Sequence, residues 1–383
     1  MNVLAEALIA PHVGSERVFL HGPDRQTYGG FIAGAARIAH HLVGQRFEPG
    51  DRLAAQVAKS PEALQLYLAC LMAGVVFLPL NTGYTGAELD YFISDSGARL
   101  FVTDAVELAK KSAGNSGDFR PRARGSDDLA ALLYTSGTTG RSKGAMLSHG
   151  NLLSNAQTLH QIWGFTADDV LLHALPIFHT HGLFVATNTV LAASASMIFL
   201  PKFDVGQVLE ALPKATVMMG VPTFYTRLLA DPRLDRALTK DMRLFISGSA
   251  PLLAETHREF EARTGQRILE RYGMTETNMN TSNPLVGARK PGTVGLALPG
   301  VDLRVADESG TVVAQGETGG VEVRGPNVFK GYWNMPEKTA AEFRADGFFI
   351  TGDLGRLDVD GYLEIVGRAK DLIISGGLNV YPK

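Results

Sequence analysis

Residues 133–144 read Leu-Tyr-Thr-Ser-Gly-Thr-Thr-Gly-Arg-Ser-Lys-Gly. Five hydroxyl side chains (Thr135, Ser136, Thr138, Thr139, Ser142), three glycines (Gly137, Gly140, Gly144) and Lys143 fall within ten positions. Glycines let backbone N–H groups close on an anion, hydroxyls add donors, and lysine adds charge. The chemistry this suits is polyphosphate binding. The spacing is not that of a Walker A loop, which needs four residues between its first glycine and the Gly-Lys pair. Gly140–Gly144 does match G-x-S-x-G, the nucleophile elbow of serine hydrolases. An elbow serine leaves a strand directly, whereas the strand expected here ends near Tyr134, eight residues early, and Arg141 and Lys143 flank Ser142. A serine nucleophile is therefore not expected.

Three further apolar runs end in residues able to do chemistry. Met219 is followed by Gly220-Val221-Pro222-Thr223, and Ile246 by Ser247-Gly248-Ser249-Ala250-Pro251. Glu270 is followed by Arg271-Tyr272-Gly273-Met274-Thr275-Glu276. Small residues allow a flat base to lie against backbone, and Tyr272 offers a ring to stack on it. Thr275 and Glu276 each supply an oxygen, suited to phosphate and Mg²⁺. Together these ends describe a nucleotide crevice.

The elements that must position them alternate from about 129 to 272. Leu129–Tyr134, Val170–Leu175, Ser196–Leu200, Ala215–Met219, Arg243–Ser247 and Arg267–Arg271 read as strands. Asn151–Trp163, Val205–Leu212, Phe224–Ala230 and Leu252–Arg263 read as helices, with Ser148 or Asn151, Asp204 and Thr223 as caps. Such alternation predicts an α/β fold with mainly parallel sheets covered on both faces, and ligands beyond the strands' carboxyl ends. Residues 12–103 repeat the pattern more weakly. After Pro291 short glycine-separated strands (Val301–Val305, Gly320–Val323, Gly347–Thr351, Tyr362–Val366) predict a small antiparallel, β-barrel-like subdomain, and 112–127 reads as a linker. The chain has 383 residues, 45% apolar and 20% charged, with a net charge of −3. That composition is ordinary for a globular protein and gives no electrostatic reason to expect nucleic acid or an anionic membrane. The single cysteine, Cys70, excludes an internal disulfide and fits a reducing compartment; it lies in the apolar run Leu66–Leu80, broken by Gly74 and Pro79, too short for a membrane span. With no signal peptide in view, a cytoplasmic location is expected.

With Tyr134–Gly144, Ser247–Leu252, Tyr272–Glu276, Gly325–Tyr332, Thr351-Gly352-Asp353 and Gly367-Arg368 in place, the chain resembles the adenylate-forming superfamily. That superfamily holds acyl-CoA synthetases, aryl-CoA ligases, luciferases and peptide-synthetase adenylation domains. The resemblance implies that Thr135, Ser136, Gly137, Thr138, Thr139, Gly140 and Lys143 hold the β- and γ-phosphates of ATP. It implies that Gly248, Ser249, Ala250, Glu270, Arg271, Tyr272, Gly273 and Met274 frame AMP. Thr275 then touches the α-phosphate, Asp353 the ribose hydroxyls, and Arg368 ribose or phosphate. Glu276, with Thr135, would bind Mg²⁺, so Lys143, Thr275 and Glu276 are the expected catalytic residues and CoA the co-substrate. The reaction would join a carboxylate to the α-phosphorus and then transfer the acyl group to CoA. Two anions must meet, so catalysis is positioning and charge neutralisation.

Which acid is taken turns on two arginines. Arg227 is expected early in a helix, where the dipole disfavours a cation, and Arg271 at the end of a strand. Both fall on segments that line the family's acyl pocket, where a guanidinium suits a second carboxylate. Leu175–Leu183 (with His179 and His181), Gly220–Arg227 and Glu270–Ser282 look like the corresponding stretches of bacterial malonyl-CoA synthetases. This implies malonate as the acid, with Arg227, Arg271, His179 and Ser247 at its carboxylate and His181 structural or behind them. His179 and His181 alone make a poor metal site. Another short or medium acid, or nucleotide binding without catalysis, stays open at this point. The resemblance makes 1–369 one large adenylation domain, α/β to about 290 and barrel-like from 291, with Lys370 at the hinge to a C-terminal domain of which 370–383 is only the start. Weak turnover is expected of the chain as it stands, and oligomeric state is left open.

Overall fold

The computed structural model describes residues 1–135 and 141–371, and the backbone of 373–375 and 378–380. Ser136, Gly137, Thr138, Thr139 and Gly140 lie outside the described residues.

The alternating stretch feeds two sheets rather than one. The first has five strands in the order Leu100–Val102, Arg52–Ala55, Val76–Pro79, Leu129–Thr135, Lys143–Ser148. Its first four strands run parallel, and the last returns antiparallel from the hydroxyl-rich segment. Leu129–Thr135 thus leads into a hairpin and not into a helix, which disposes of the nucleophile elbow. The second sheet is nine-stranded, in the order Leu296–Ala297, Asn278–Ser282, Ile268–Met274, Leu244–Ser247, Val217–Gly220, Val170–His173, Ser196–Phe199, Val18–His21, Gln26–Thr27. Its six central strands are parallel and antiparallel strands close both edges.

Local chemistry explains the helices between them. His149–Ile162 is capped by Ser148, with Asn151 reciprocating onto the Ser148 backbone, so both expected cap residues act together. Asp204 accepts from Gln207 N at 3.0 Å and starts Val205–Ala211. Thr223 does not cap; Pro222 takes the first turn, where its missing N–H costs nothing, and the helix runs Pro222–Leu229 behind Val221. The Cys70 run forms the helix Pro61–Ala73, buried from Ala63 onward and ended by Gly74 at φ +73, then the strand Val76–Pro79. Among the described residues no helix is long and apolar enough to cross a membrane.

Beyond Pro291 the four strands Asp302–Ala306, Gly319–Arg324, Phe349–Leu357 and Leu363–Arg368 pair antiparallel in sequence order. Among the described residues its first and last strands do not pair, so this is an open sheet and not a closed barrel. The segment 329–333 binds it to the first sheet, Met146 N donating to Gly331 O at 3.0 Å and Trp333 N to Gly144 O at 2.8 Å. Three sheets therefore meet where the carboxyl ends of both parallel sheets open.

Candidate active site

At that junction lies a cavity of about 630 Å³, within the usual range for a ligand site. The hairpin register places Thr135 opposite Lys143, so both stand side by side on its wall. Lys143 Nζ is 3.1 Å from Glu342 Oε1 and 4.1 Å from the Tyr332 ring centre. The Tyr332 hydroxyl sits 2.7 Å from Glu342 Oε2 and 3.0 Å from Glu276 Oε1. Burial raises the Glu276 pKa above the ordinary carboxylate value. Burial also pushes Glu342 up, but Lys338, Tyr332 and Lys143 together hold it below that value. Glu276 owes its place to the tight turn between Ile268–Met274 and Asn278–Ser282, where Thr277 N donates to Met274 O. A Cβ on Gly273 would lie 1.8 Å from Asn278 O, so only glycine permits that turn.

Among the described residues no three His, Cys, Asp or Glu side chains cluster as metal ligands. One buried carboxylate beside a hydroxyl fits Mg²⁺, which takes most of its ligands from phosphate and water rather than from a protein cage.

On one side, Tyr272 donates to Asp353 Oδ2 at 2.5 Å, and Arg368 Nε lies 2.9 Å from Asp353 Oδ1 across a strand pair. Asp353 is 4% exposed, and burial raises its pKa. Thr351, Gly352, Arg368 and Lys370 line this wall, Gly352 at φ +76.

On the other side Arg271 dominates. It is 2% exposed, and Nε, Nη1 and Nη2 have no hydrogen-bond partner among the described residues. Burial lowers its pKa to about 9, which leaves it a cation at neutral pH. The guanidinium lies against Gly248, where a Cβ would stand 2.5 Å from Arg271 Cζ. Ser249 holds φ +70, an uncommon conformation for a residue with a side chain, and lines the cavity with His179 and Met274.

Several expected residues are placed elsewhere. Arg227 is exposed in the last turn of its helix, where the dipole favours a cation, with its guanidinium 4.8 Å over the Phe203 ring. It does not line the cavity. Glu270 alternates with Arg271 along its strand and so faces away, bonded to His257 Nδ1 at 3.2 Å and Gly292 N at 3.3 Å. Ala250 is exposed and Ser247 is buried with its Oγ unpartnered among the described residues, and neither lines the cavity. Tyr332 and Glu342 are the residues that sequence reasoning missed; Glu342 is 199 positions from Lys143, and no spacing signals the pair.

Residues 9–333 match the model of the AMP-binding enzyme family. The chain belongs to that family, and so to the adenylate-forming enzymes. The ATP-bound MatB of Rhodopseudomonas palustris is 56% identical, with a TM-score of 0.95 over 100% of this chain and 81% of that one. A malonyl-CoA ligase in a ternary product complex with methylmalonyl-CoA and AMP is 37% identical, TM-score 0.83, covering 98% and 83%. A feruloyl-CoA synthase from an Amycolatopsis species is also 37% identical over 395 residues, 98% of this chain and 79% of its own. The family's common chemistry is thereby fixed, while the acids named by these relatives differ.

Proposed function

We propose that this adenylate-forming CoA ligase activates malonate, forming malonyl adenylate and pyrophosphate from ATP and then malonyl-CoA and AMP from CoA. One observation carries the reading: Arg271, a buried guanidinium with three unpartnered nitrogens among the described residues, lines the same cavity as Thr135 and Lys143. An uncompensated buried charge costs several kcal/mol, and a carboxylate opposite it relieves that cost. A ferulate ring or alkyl chain would leave it standing. Two solved relatives support the reading, one holding ATP and another methylmalonyl-CoA with AMP.

In this assignment Lys143 leaves Glu342 for the phosphates; Glu276 with Thr135 would hold Mg²⁺, which would supply charge neutralisation at the phosphate oxygens. One malonate oxygen attacks the α-phosphorus while the bond to the β-phosphate oxygen breaks, and Thr275 stands beside the reacting phosphate. Arg271 holds the far carboxylate, so the near one is oriented before any bond forms.

The test is a comparison of malonate with butyrate, by ATP–pyrophosphate exchange and by calorimetric titration of protein saturated with a non-hydrolysable ATP analogue. Malonate should be preferred about 10³-fold, roughly 4 kcal/mol. Arg271→Met should abolish the preference and leave nucleotide affinity unchanged. Equal use of butyrate, or malonate affinity retained in the variant, would overturn the proposal.

A further inference from the structure

The anion that holds Lys143 is a residue of the protein itself. Glu342 and Lys143 line the same cavity, with side chains 20% and 15% exposed and Nζ 3.1 Å from Oε1. Glu342 follows the short helix Pro336–Ala341, and its carbonyl accepts from Ile350 N at 2.8 Å, which ties it to the strand Phe349–Leu357. Lys143 opens the return strand of the hairpin, Lys143–Ser148. The pair thus bridges two sheets, as a structural strut would. Its cation, however, is the one assigned to the phosphates.

Glu342 does not depend on Lys143 for its charge. Lys338 Nζ lies 2.8 Å from the same Oε1, and the Tyr332 hydroxyl lies 2.7 Å from Oε2. With Lys143 withdrawn, the carboxylate keeps a cation on one oxygen and a hydroxyl on the other, so no anion is stranded. The Tyr332 hydroxyl has one proton for two carboxylates, since Glu276 Oε1 is 3.0 Å away, and the shorter contact is to Glu342. Lys143 is equally free to move, because an ammonium is a point charge on a flexible stem. The Tyr332 ring, its centre 4.1 Å from Nζ, attracts it without fixing one direction.

Building on the assignment of Lys143 to the β- and γ-phosphates, we propose that Glu342 is a positioning residue that competes with those phosphates for Lys143 and so weakens the grip on pyrophosphate. Whatever Lys143 gains from a phosphate oxygen is set against the ion pair it gives up. That cost falls on ligands carrying the β- and γ-phosphates, ATP and pyrophosphate, and spares AMP, whose ribose is assigned to Asp353. When pyrophosphate departs, Glu342 recovers the ammonium, so the vacated site holds no unpaired Lys143 to draw the anion back. Loss of pyrophosphate carries adenylation forward, because the reverse reaction needs that anion in place.

Glu342→Gln removes the charge and keeps the shape, and Glu342→Ala removes both. Affinities for pyrophosphate, a non-hydrolysable ATP analogue and AMP are measured by calorimetry at fixed Mg²⁺, in each variant, in Lys143→Met and in the Lys143→Met, Glu342→Gln double variant. Pyrophosphate and the ATP analogue should bind about 10-fold more tightly in both Glu342 variants, with AMP unchanged. A strut predicts the opposite, since its loss loosens the site. In the Lys143→Met background Glu342→Gln should change nothing, because the competition needs the ammonium. Pyrophosphate affinity that is unchanged or lower in both Glu342 variants would overturn the proposal. So would an equal gain for AMP, or the same gain without Lys143, which would mean plain repulsion of the ligand by Glu342. If Lys143→Met alone leaves pyrophosphate and ATP-analogue affinity unaltered, the phosphate assignment of Lys143 fails first; if that variant binds them more weakly and the Glu342 variants gain nothing, Glu342 alone is excluded.

Discussion

Gly248→Ala tests the seat of Arg271 without touching Arg271. A Cβ at 248 would stand 2.5 Å from Arg271 Cζ and 2.6 Å from both Nε and Nη1. Ordinary carbon contacts lie near 3.5 Å, so the guanidinium has to withdraw by about 1 Å. The obstructing atoms are the end of a flexible side chain and not backbone, so the fold can absorb the methyl. The acid site cannot, because a misplacement of about 1 Å costs on the order of 10²-fold in a preorganised site. Malonate affinity of nucleotide-loaded protein should fall by about that factor, and the malonate-to-butyrate ratio with it, while the urea midpoint stays within experimental scatter. The ratio matters because both acids share one nucleotide site, so a general disturbance of that site cancels. A variant that folds normally and keeps its ratio would show that the far carboxylate does not rest on this guanidinium.

Two further perturbations concern stability. His149 opens the helix His149–Ile162 and is 1% exposed; burial, then Arg124, pushes its pKa down to about 4. A depressed pKa means the unfolded chain takes up the proton first, so stability present above pH 6.5 is lost as pH falls towards 4. The loss from this group should reach about 2 kcal/mol at pH 5, and urea unfolding of His149→Gln should lose less than the parent between pH 7.5 and 5; equal losses would refute the account. Arg243 grips Asp169 with Nε and Nη2, both at 2.7 Å, and Asp169, 3% exposed, also accepts from Thr216 Oγ1 at 2.7 Å. Burial alone would raise the Asp169 pKa, yet these partners hold it below the ordinary value. Arg243→Met strands a buried carboxylate and should cost about 3–5 kcal/mol in urea at pH 7; the deficit should shrink on acidification towards pH 4, where the stranded carboxylate can protonate, and a loss under 1 kcal/mol would contradict the burial argument.

The range of the forces involved decides how much of this was legible in the sequence. Asp204 capping its helix three residues on, and glycine-punctuated strands after Pro291, are local facts and appear where expected. Assignment of strands to sheets is not local. Leu129–Thr135 and Val170–His173 read alike but join different sheets, and Val18–His21 crosses to pair with Ser196–Phe199. Arg227 shows the same limit at the site: its position on a pocket segment was readable, but the short helix begun by Pro222 carries it to the exposed end, over Phe203. Glu270 and Arg271 differ by one residue, and strand alternation alone sends one into the cavity and the other towards His257.

The two ends of the cavity are satisfied differently, and this bears on how selection works. At the nucleotide end charges are already paired: Lys143 with Glu342, Arg368 with Asp353, and Glu276 with the Tyr332 hydroxyl. A nucleotide arriving there exchanges partners, since Lys143 must leave one anion for another, and exchange yields little net free energy. At the end proposed for the acid, the Arg271 guanidinium, His181 Nε2 and Thr180 Oγ1 are buried without partners among the described residues. A ligand that satisfies them gains what their desolvation has already cost, and one that does not gains nothing. On the proposed reading, discrimination between acids is therefore concentrated where the protein is least satisfied, at the orphaned donors more than in the size of the cavity.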